Sequence, residues 1–126
     1  MQDFRKLSVW QKAHYLTLEV YRVTRGFPKD ELYGLTSQIR RAAASVPTNI
    51  AEGCGRRSDR DFARFLSIAM GSASELDYLI LLSRDLDLMN ARTADVLSDS
   101  ATELKRMLAS LMRKIEADNG NQTVTS

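Results

Sequence analysis

The chain of 126 residues is poor in the side chains that build metal sites and disulfides. It has one cysteine, Cys54, and one histidine, His14. A lone cysteine excludes an intrachain disulfide, and one cysteine with one histidine does not make a zinc ligand set. The composition therefore predicts a protein of a reducing compartment that holds no metal and needs no cofactor.

Long apolar runs and strand patterns are also missing. No stretch of eighteen uncharged apolar residues occurs, and the first seven residues carry charges in place of an apolar run. This pattern argues against a signal peptide and a transmembrane span. No alternating run of Val, Ile or Thr lies between turn residues, so strands are not expected. We expect an all-α, cytoplasmic protein with no membrane partner.

The charge of the chain is nearly balanced but unevenly distributed. Eighteen Lys and Arg face sixteen Asp and Glu, a net charge of +2. Residues 1–60 carry +5 and residues 61–126 carry −3. This asymmetry permits a basic face for RNA or DNA, although so small a total does not require one.

The first two helices are predicted from their boundaries and their apolar period. Ser8 opens an S-x-x-Q capping box, and the helix that follows ends before Pro28. The second helix begins near Pro28 and runs to about Glu52. Pro47 lies inside it and removes one hydrogen bond to the carbonyl of Ala43. Because the apolar period continues on both sides, we expect a kink at Pro47 instead of a break.

The third helix is predicted to start after Ser58 and to span about 30 residues, or about 45 Å. It carries a second apolar stripe made of Phe65, Ile68, Leu79, Leu82 and Leu86. A helix with two apolar sides belongs in the middle of a bundle or at a subunit interface. The stripe therefore predicts a homo-oligomer.

A fourth helical period follows Asn90 and continues to Asp118. Four helices joined by three short connections predict a single up-down-up-down antiparallel four-helix bundle over residues 4–118. The last segment, residues 119–126, is polar and is expected to be a disordered tail.

Four polar residues among apolar neighbours form the first candidate site: Asn49, Glu52, Ser72 and Glu75. They can be interpreted as an active site or as a structural hydrogen-bond network that fixes helix register and satisfies the carbonyl freed by Pro47. The structural network is favoured, because catalysis needs a nucleophile or base with an orienting partner and none is evident.

Metal-dependent enzyme bundles do not fit this sequence either. A di-iron bundle uses Glu-x-x-His pairs on two helices, and the residue three before His14 is Gln11. Gly53 and Gly55 follow a helix and lack the lysine of a phosphate-binding P-loop. We therefore predict that the protein is not an enzyme.

Arginines surround the predicted start of the third helix. Arg57, Arg60 and Arg64 share one helix face, and Arg56 precedes them. Guanidiniums beside the free amides of a helix N-terminus can bind phosphate, although pairing with nearby aspartates would make the same residues an ordinary solvated face. Further arginines that can join this surface, or form interface salt bridges, are Arg40 and Arg41.

Three aromatic residues are candidate interface anchors, namely Phe4, Trp10 and Tyr33. Aromatic side chains are enriched at protein interfaces. Simple core packing explains the same residues equally well.

Three blocks of sequence resemble a known bacterial family. They are Phe4 to Ala13, Phe27 to Gly53 with its Asn-Ile-Ala-Glu-Gly end, and Phe62 to Glu75 with its Gly-Ser-x-x-Glu end. The family is that of four-helix bundle proteins first noticed in intervening sequences of 23S ribosomal RNA genes, and the resemblance covers residues 4 to about 86.

This resemblance implies a homopentamer of four-helix bundles. Related accessory variability determinant proteins of diversity-generating retroelements form basic pentamers that contact nucleic acid and a reverse transcriptase. The resemblance thus favours RNA or DNA binding through the basic residues, and the alternative is a protein-interaction scaffold that binds no nucleic acid.

Overall fold

The structure, a computed structural model, describes the backbone of residues 2–125 and the side chains of residues 2–118. It contains four long helices, α1 (Ser8–Thr24), α2 (Ser37–Cys54), α3 (Asp59–Asp85) and α4 (Ala91–Thr125). No strand occurs within residues 2–125, so the predicted all-α class with four helices is confirmed. The predicted polar tail, 119–126, lies outside the residues whose side chains are described.

Short non-α turns precede α1 and α2. A 3-10 turn, Phe4–Lys6, leads into α1, and a 3-10 turn, Lys29–Glu31, is followed by a π-helical segment, Leu32–Thr36, before α2. The predicted second helix is thus α-helical only from Ser37. Within the π-helical segment, Gly34 has non-helical backbone angles, which explains why the regular period is interrupted there.

The predicted capping box at Ser8 is wrong. The N-cap of α1 is Leu7, which makes no side-chain cap hydrogen bond, and Ser8 is already helical. The physical reason is the preceding 3-10 turn, in which the Leu7 amide donates to the Phe4 carbonyl at 3.0 Å. The Gln11 side-chain amide donates to the Arg5 carbonyl at 2.9 Å and so ties this turn to α1.

Side chains cap the starts of α3 and α4, and the cap of α3 at Ser58 is the one that the sequence predicts. Ser58 caps α3, and its Oγ accepts a hydrogen bond from the Asp61 amide at 3.1 Å. Asn90 precedes α4, and its Oδ1 accepts from the Thr93 amide at 2.8 Å. Each side chain satisfies a backbone amide that has no partner inside the helix.

The four helices pack in a cycle. Helix α2 packs against α1 and α3, and α4 packs against the same two helices. Helices α1 and α3 therefore occupy opposite corners of the cross-section. The core between them includes Val20, Ile39, Leu66, Ile80 and Leu104, all essentially inaccessible to solvent.

Helix α3 carries both core and surface apolar residues. Of its predicted second stripe, Phe65 and Leu79 are buried and Leu82 is half-buried, whereas Ile68 and Leu86 are exposed. The stripe therefore divides between the bundle core and the surface of the single chain. Apolar residues at the surface of α3 remain available for contacts with another chain.

By length and composition alone, α3 qualifies as a membrane span. This is weak evidence, because the core helix of a bundle meets the same criterion. Helix α3 packs against both α2 and α4, and most of its large apolar residues are buried there. This packing accounts for part of the apolar content of α3, and Ile68, Tyr78 and Leu81 remain exposed.

Candidate nucleic-acid interface

The arginine patch comprises Arg56, Arg57, Arg60 and Arg64, and the structure places all four at the start of α3. The guanidiniums of Arg56 and Arg64 each lie 4.7 Å from the centre of the Phe65 ring. Phe65 is buried in the bundle, so the ring is a fixed support for both cations. Such cation–π contacts orient the two guanidiniums without neutralising their charge.

Most of this positive charge has no acidic partner. Arg64 lies 3.8 Å from the Asp61 carboxylate, and both side chains are largely exposed. Among the described residues, no carboxylate lies within 4 Å of Arg56, Arg57 or Arg60. An exposed ion pair contributes little. The patch therefore presents three guanidiniums that are free to contact an anion, and a fourth that is only weakly paired.

The last residue of α2, just before the arginine patch, is the one cysteine of the chain. Cys54 is buried at the end of α2 and is a free thiol. Burial raises the pKa of the Cys54 thiol, the N-terminal amino group lowers it, and Asp3 raises it. A buried, protonated thiol is a poor nucleophile, so Cys54 is a packing residue at this end of the bundle.

Arg40 and Arg41 do not lie beside the arginine patch. They belong to the first turns of α2, and the patch begins after its last turn, about 20 Å further along the helix axis at 1.5 Å per residue. The structure thus separates the six predicted phosphate-binding arginines into two surfaces at opposite ends of α2.

Part of the predicted polar network is present. The Ser45 and Ser72 hydroxyls are hydrogen-bonded at 2.8 Å between α2 and α3, and the Asn49 amide donates to the Ser45 carbonyl and hydroxyl at 2.8 and 3.0 Å. Glu52 and Glu75 are exposed, and within the described residues neither takes part in a side-chain hydrogen bond with the other members. Ser45 links the network, and sequence analysis missed it.

The carbonyl that Pro47 leaves free has a partner from another helix. The Thr17 hydroxyl of α1 lies 3.1 Å from the Ala43 carbonyl and 2.8 Å from the Ala13 carbonyl. The candidate residues of the polar network do not supply this hydrogen bond. Their observed contacts join α2 to α3 and contain no general base aligned with a nucleophile, as catalysis would need.

No group of three His, Cys, Asp or Glu side chains gathers in the described part of the chain in a way that would hold a metal ion. His14 instead stacks on Trp10, with ring centres 4.9 Å apart and planes 9° apart.

The Trp10 ring also lies 4.9 Å from the Phe4 ring. Phe4 and Trp10 are partly buried and pack against the core, whereas the third aromatic candidate, Tyr33, is 94% exposed.

A family model described as 23S rRNA-intervening sequence protein matches residues 5–110. The chain belongs to this family. The match extends beyond the three sequence blocks, through α3 and into most of α4. No curated protein matches the chain.

A solved structure is similar in fold. It is the 1.70 Å crystal structure of a protein of unknown function from the S23 ribosomal protein family of Bacteroides thetaiotaomicron VPI-5482. The two share 22% sequence identity with a TM-score of 0.75, and the alignment covers 82% of this chain and 97% of the other. At this identity the likeness supports the fold and leaves the function to be argued from the residues themselves.

Proposed function

We propose that this protein is a non-enzymatic homo-oligomer that binds RNA or DNA without sequence preference through the arginine patch. The observation that carries this proposal is that, among the described residues, three of its four guanidiniums have no carboxylate within 4 Å. The amides at the start of α3 add positive potential at the same surface. Contacts of this kind reach phosphates and carry no base readout, so the binding is sequence-independent.

Oligomerisation strengthens such a surface, because phosphate affinity grows with the number of contacts. The proposed state is a pentamer, as the family resemblance implies, and two exposed apolar surfaces support a ring. The surface on α1 contains Tyr15 and Leu18, and the surface on α3 contains Ile68, Tyr78 and Leu81. Contact between α1 of one subunit and α3 of the next would be heterologous, and a heterologous contact gives a ring when its rotation closes.

The proposal also includes the directions of the four helices, a bend in α2 and a cytoplasmic location without a membrane partner. The short connections between consecutive helices support an up-down-up-down order of directions, and the missing amide hydrogen of Pro47 supports a bend in α2. The single buried thiol fits a reducing cytoplasm. The burial of α3 between α2 and α4 supports a protein that works without a membrane.

A salt titration of nucleic-acid binding tests the proposal. The test variant replaces Arg56, Arg57, Arg60 and Arg64 by Gln, and the matched control replaces Arg22, Arg84, Arg92 and Arg106, which are exposed on other faces. Both variants lose four positive charges. We expect wild-type protein and control to retain single-stranded RNA and duplex DNA at low salt, with affinity falling steeply as salt rises.

The test variant is expected to lose this binding and most of its salt dependence. Each lost phosphate contact lowers the slope of log affinity against log salt by about 0.9 for duplex DNA and about 0.7 for single strands. Equal binding by the test variant and the wild type would contradict the proposal, and an equal loss in both variants would show that only the net charge matters.

A protein-interaction scaffold is the second candidate function. The exposed apolar residues of α1 and α3 favour it, since such residues at a monomer surface mark contact sites. This candidate predicts no nucleic-acid retention at low salt and an apolar surface that stays exposed after the subunits assemble. The titration therefore separates the two functions directly.

A further inference from the structure

A second basic surface lies at the start of α2, at the far end of that helix from the arginine patch. A cavity of about 320 Å³ opens there beside α1, and of the described residues that line it none is acidic. Its lining includes Tyr21, Leu32, Tyr33, Thr36, Arg40 and Arg41. The volume falls at the lower end of the range for small-ligand sites, which is about 300–1,000 Å³.

Arg40 is held in place at one side of this cavity. Its Nε donates to the Thr24 hydroxyl at 2.8 Å, and its guanidinium lies 4.7 Å from the centre of the Tyr21 ring. Within the described residues, neither Arg40 nor its neighbour Arg41 has a carboxylate within 4 Å. The cavity is therefore positively charged, and one of its two cations is oriented in advance.

Tyr33 provides an aromatic platform at the same place. Its side chain is 94% exposed, the largest exposure among the large apolar and aromatic residues of the described surface. It lies in the π-helical segment Leu32–Thr36, a type of backbone that is common at functional sites. An exposed ring beside arginines is the arrangement by which proteins stack a nucleobase and hold the adjoining phosphate.

The hydroxyl of Thr36 is a third, independent observation. Thr36 is 4% exposed, and its Oγ1 is buried without a hydrogen-bond partner among the described residues. A buried hydroxyl without a partner is costly to the fold and calls for an explanation. Thr36 lines the cavity and its oxygen is closed to solvent, so a polar group of a bound ligand can become its partner only if the side chain turns toward the cavity.

We infer that this cavity binds one nucleotide unit of a single-stranded nucleic acid, with the base stacked on Tyr33 and the phosphate held by Arg40 and Arg41. This inference rests on the proposed function and deepens it. The arginine patch contacts the backbone phosphates of single strands and duplexes alike. The cavity requires an unpaired base. It therefore adds a preference for single strands over duplexes.

Binding of a 12-nucleotide single strand that contains 2-aminopurine tests the inference, with a duplex of the same sequence as the comparison. Stacking quenches 2-aminopurine fluorescence, and base–aromatic stacking is lost when the ring is removed. Tyr33→Ala is expected to weaken single-strand binding by roughly 5- to 100-fold and to abolish the quenching. Tyr33→Phe keeps the ring and should behave as wild type, and duplex binding should be unchanged in both.

Two further substitutions probe the polar part of the site. Arg41→Gln should lower the salt slope for the single strand by about 0.7, whereas the matched control Arg113→Gln should leave it unchanged. Thr36→Val should raise the melting temperature of the free protein, because it removes a buried hydroxyl without a partner, and should weaken single-strand binding. A merely structural threonine would not produce this opposite pair of effects.

The outcomes distinguish this inference from the proposed function. If the arginine-patch variant loses binding and Tyr33→Ala does not, the cavity is not a nucleotide site and the proposed function stands. If Tyr33→Ala loses single-strand binding and the patch variant does not, the cavity stands and the patch proposal fails. A change of assembly mass in Tyr33→Ala would mark Tyr33 as a subunit contact and overturn the inference, and so would a wild-type protein that binds no single strand.

Discussion

The Thr17 hydroxyl lies 3.1 Å from the carbonyl oxygen of Ala43, on a neighbouring helix. Pro47, four residues after Ala43, has no amide hydrogen to donate to that carbonyl. The Thr17 hydroxyl of α1 shares its one hydrogen between the Ala13 carbonyl at 2.8 Å and the Ala43 carbonyl at 3.1 Å, and so partly replaces the hydrogen bond that α2 cannot make for itself. The contact explains how α2 tolerates an interior proline and ties it to α1 at the same point.

We expect Thr17→Val to lower the free energy of unfolding by about 1–2 kcal/mol, because it leaves the Ala43 carbonyl without its donor. Pro47→Ala restores a backbone amide that can reach the same carbonyl. In the Pro47→Ala background the cost of Thr17→Val should therefore be smaller. Urea unfolding of the two single variants and the double variant gives this coupling. Equal costs in both backgrounds would show that Thr17 does not substitute for the missing amide.

The contact between Thr17 and Ala43 also shows where sequence reasoning stops. The caps at Ser58 and Asn90 are local, since each side chain bonds to an amide three residues away. They are therefore readable from the sequence. Thr17 and Ala43 are 26 residues apart, and only the packing of α1 on α2 brings them together. The sequence predicts that a partner is needed but not which residue supplies it.

The two candidate sites also differ in whether local sequence or tertiary packing determines them. The arginine patch is continuous in sequence, so its place at the start of α3 follows from the helix boundary. The cavity at the start of α2 joins Tyr21 on α1 to Tyr33 and Arg40, and it depends on the π-helical segment that local propensity did not reveal. From sequence, Tyr33 is interpreted as an interface anchor or a core residue, and Arg40 as part of the arginine patch or of an interface. None of these interpretations predicts that the two residues line one cavity.

Gly53 is expected to tolerate no side chain, whereas Gly71 should. A Cβ at Gly53 would lie 2.8 Å from a Phe62 ring carbon and 3.1 Å from the Phe65 Cβ, whereas one at Gly71 would meet nothing within 4 Å. Gly53→Ala should lower the free energy of unfolding by about 1–3 kcal/mol through overpacking. Gly71→Ala should raise it by about 0.5–1 kcal/mol through helix propensity.

Urea unfolding of Gly53→Ala and Gly71→Ala compares a closely packed glycine with an open one in the same protein. Stabilisation by Gly53→Ala would show that α2 and α3 are not closely packed at Phe62. A loss of stability in Gly71→Ala would contradict the open surroundings of Gly71.

Cys54 is expected to lower stability at alkaline pH. Burial raises the pKa of its thiol above the ordinary value of 9.0, so the folded protein holds the proton more tightly than the unfolded chain. The stability linked to this proton is complete below the pKa of the unfolded thiol and is lost as pH rises toward the folded value. The free energy of unfolding of the wild type should therefore fall above about pH 9, relative to that of Cys54→Ala.

Urea unfolding at pH 7 and pH 10 measures this difference for the two proteins. The other ionisable side chains are common to both proteins, so their effect cancels in this difference. A difference between wild type and Cys54→Ala that does not change with pH would contradict the raised pKa.

A ring built from α1 of one subunit and α3 of the next makes a distinctive prediction about mixtures. Leu18 on α1 and Leu81 on α3 are 46% and 49% exposed. Leu18→Glu should disable the α1 surface and Leu81→Glu the α3 surface, because a charge buried in an apolar contact without a partner is costly. Each variant alone should be a monomer of 14.2 kDa by light scattering, whereas five wild-type chains give about 71 kDa.

Mixing the two variants is the decisive measurement. The Leu18→Glu chain keeps an intact α3 surface, and the Leu81→Glu chain keeps an intact α1 surface. These two surfaces can form one heterologous contact and no second one, so the mixture should give a one-to-one dimer of about 28 kDa. In a two-fold dimer, each surface would meet its own copy, and the two variants would not complement each other. A mixture that stays monomeric would therefore exclude the ring built from α1 and α3.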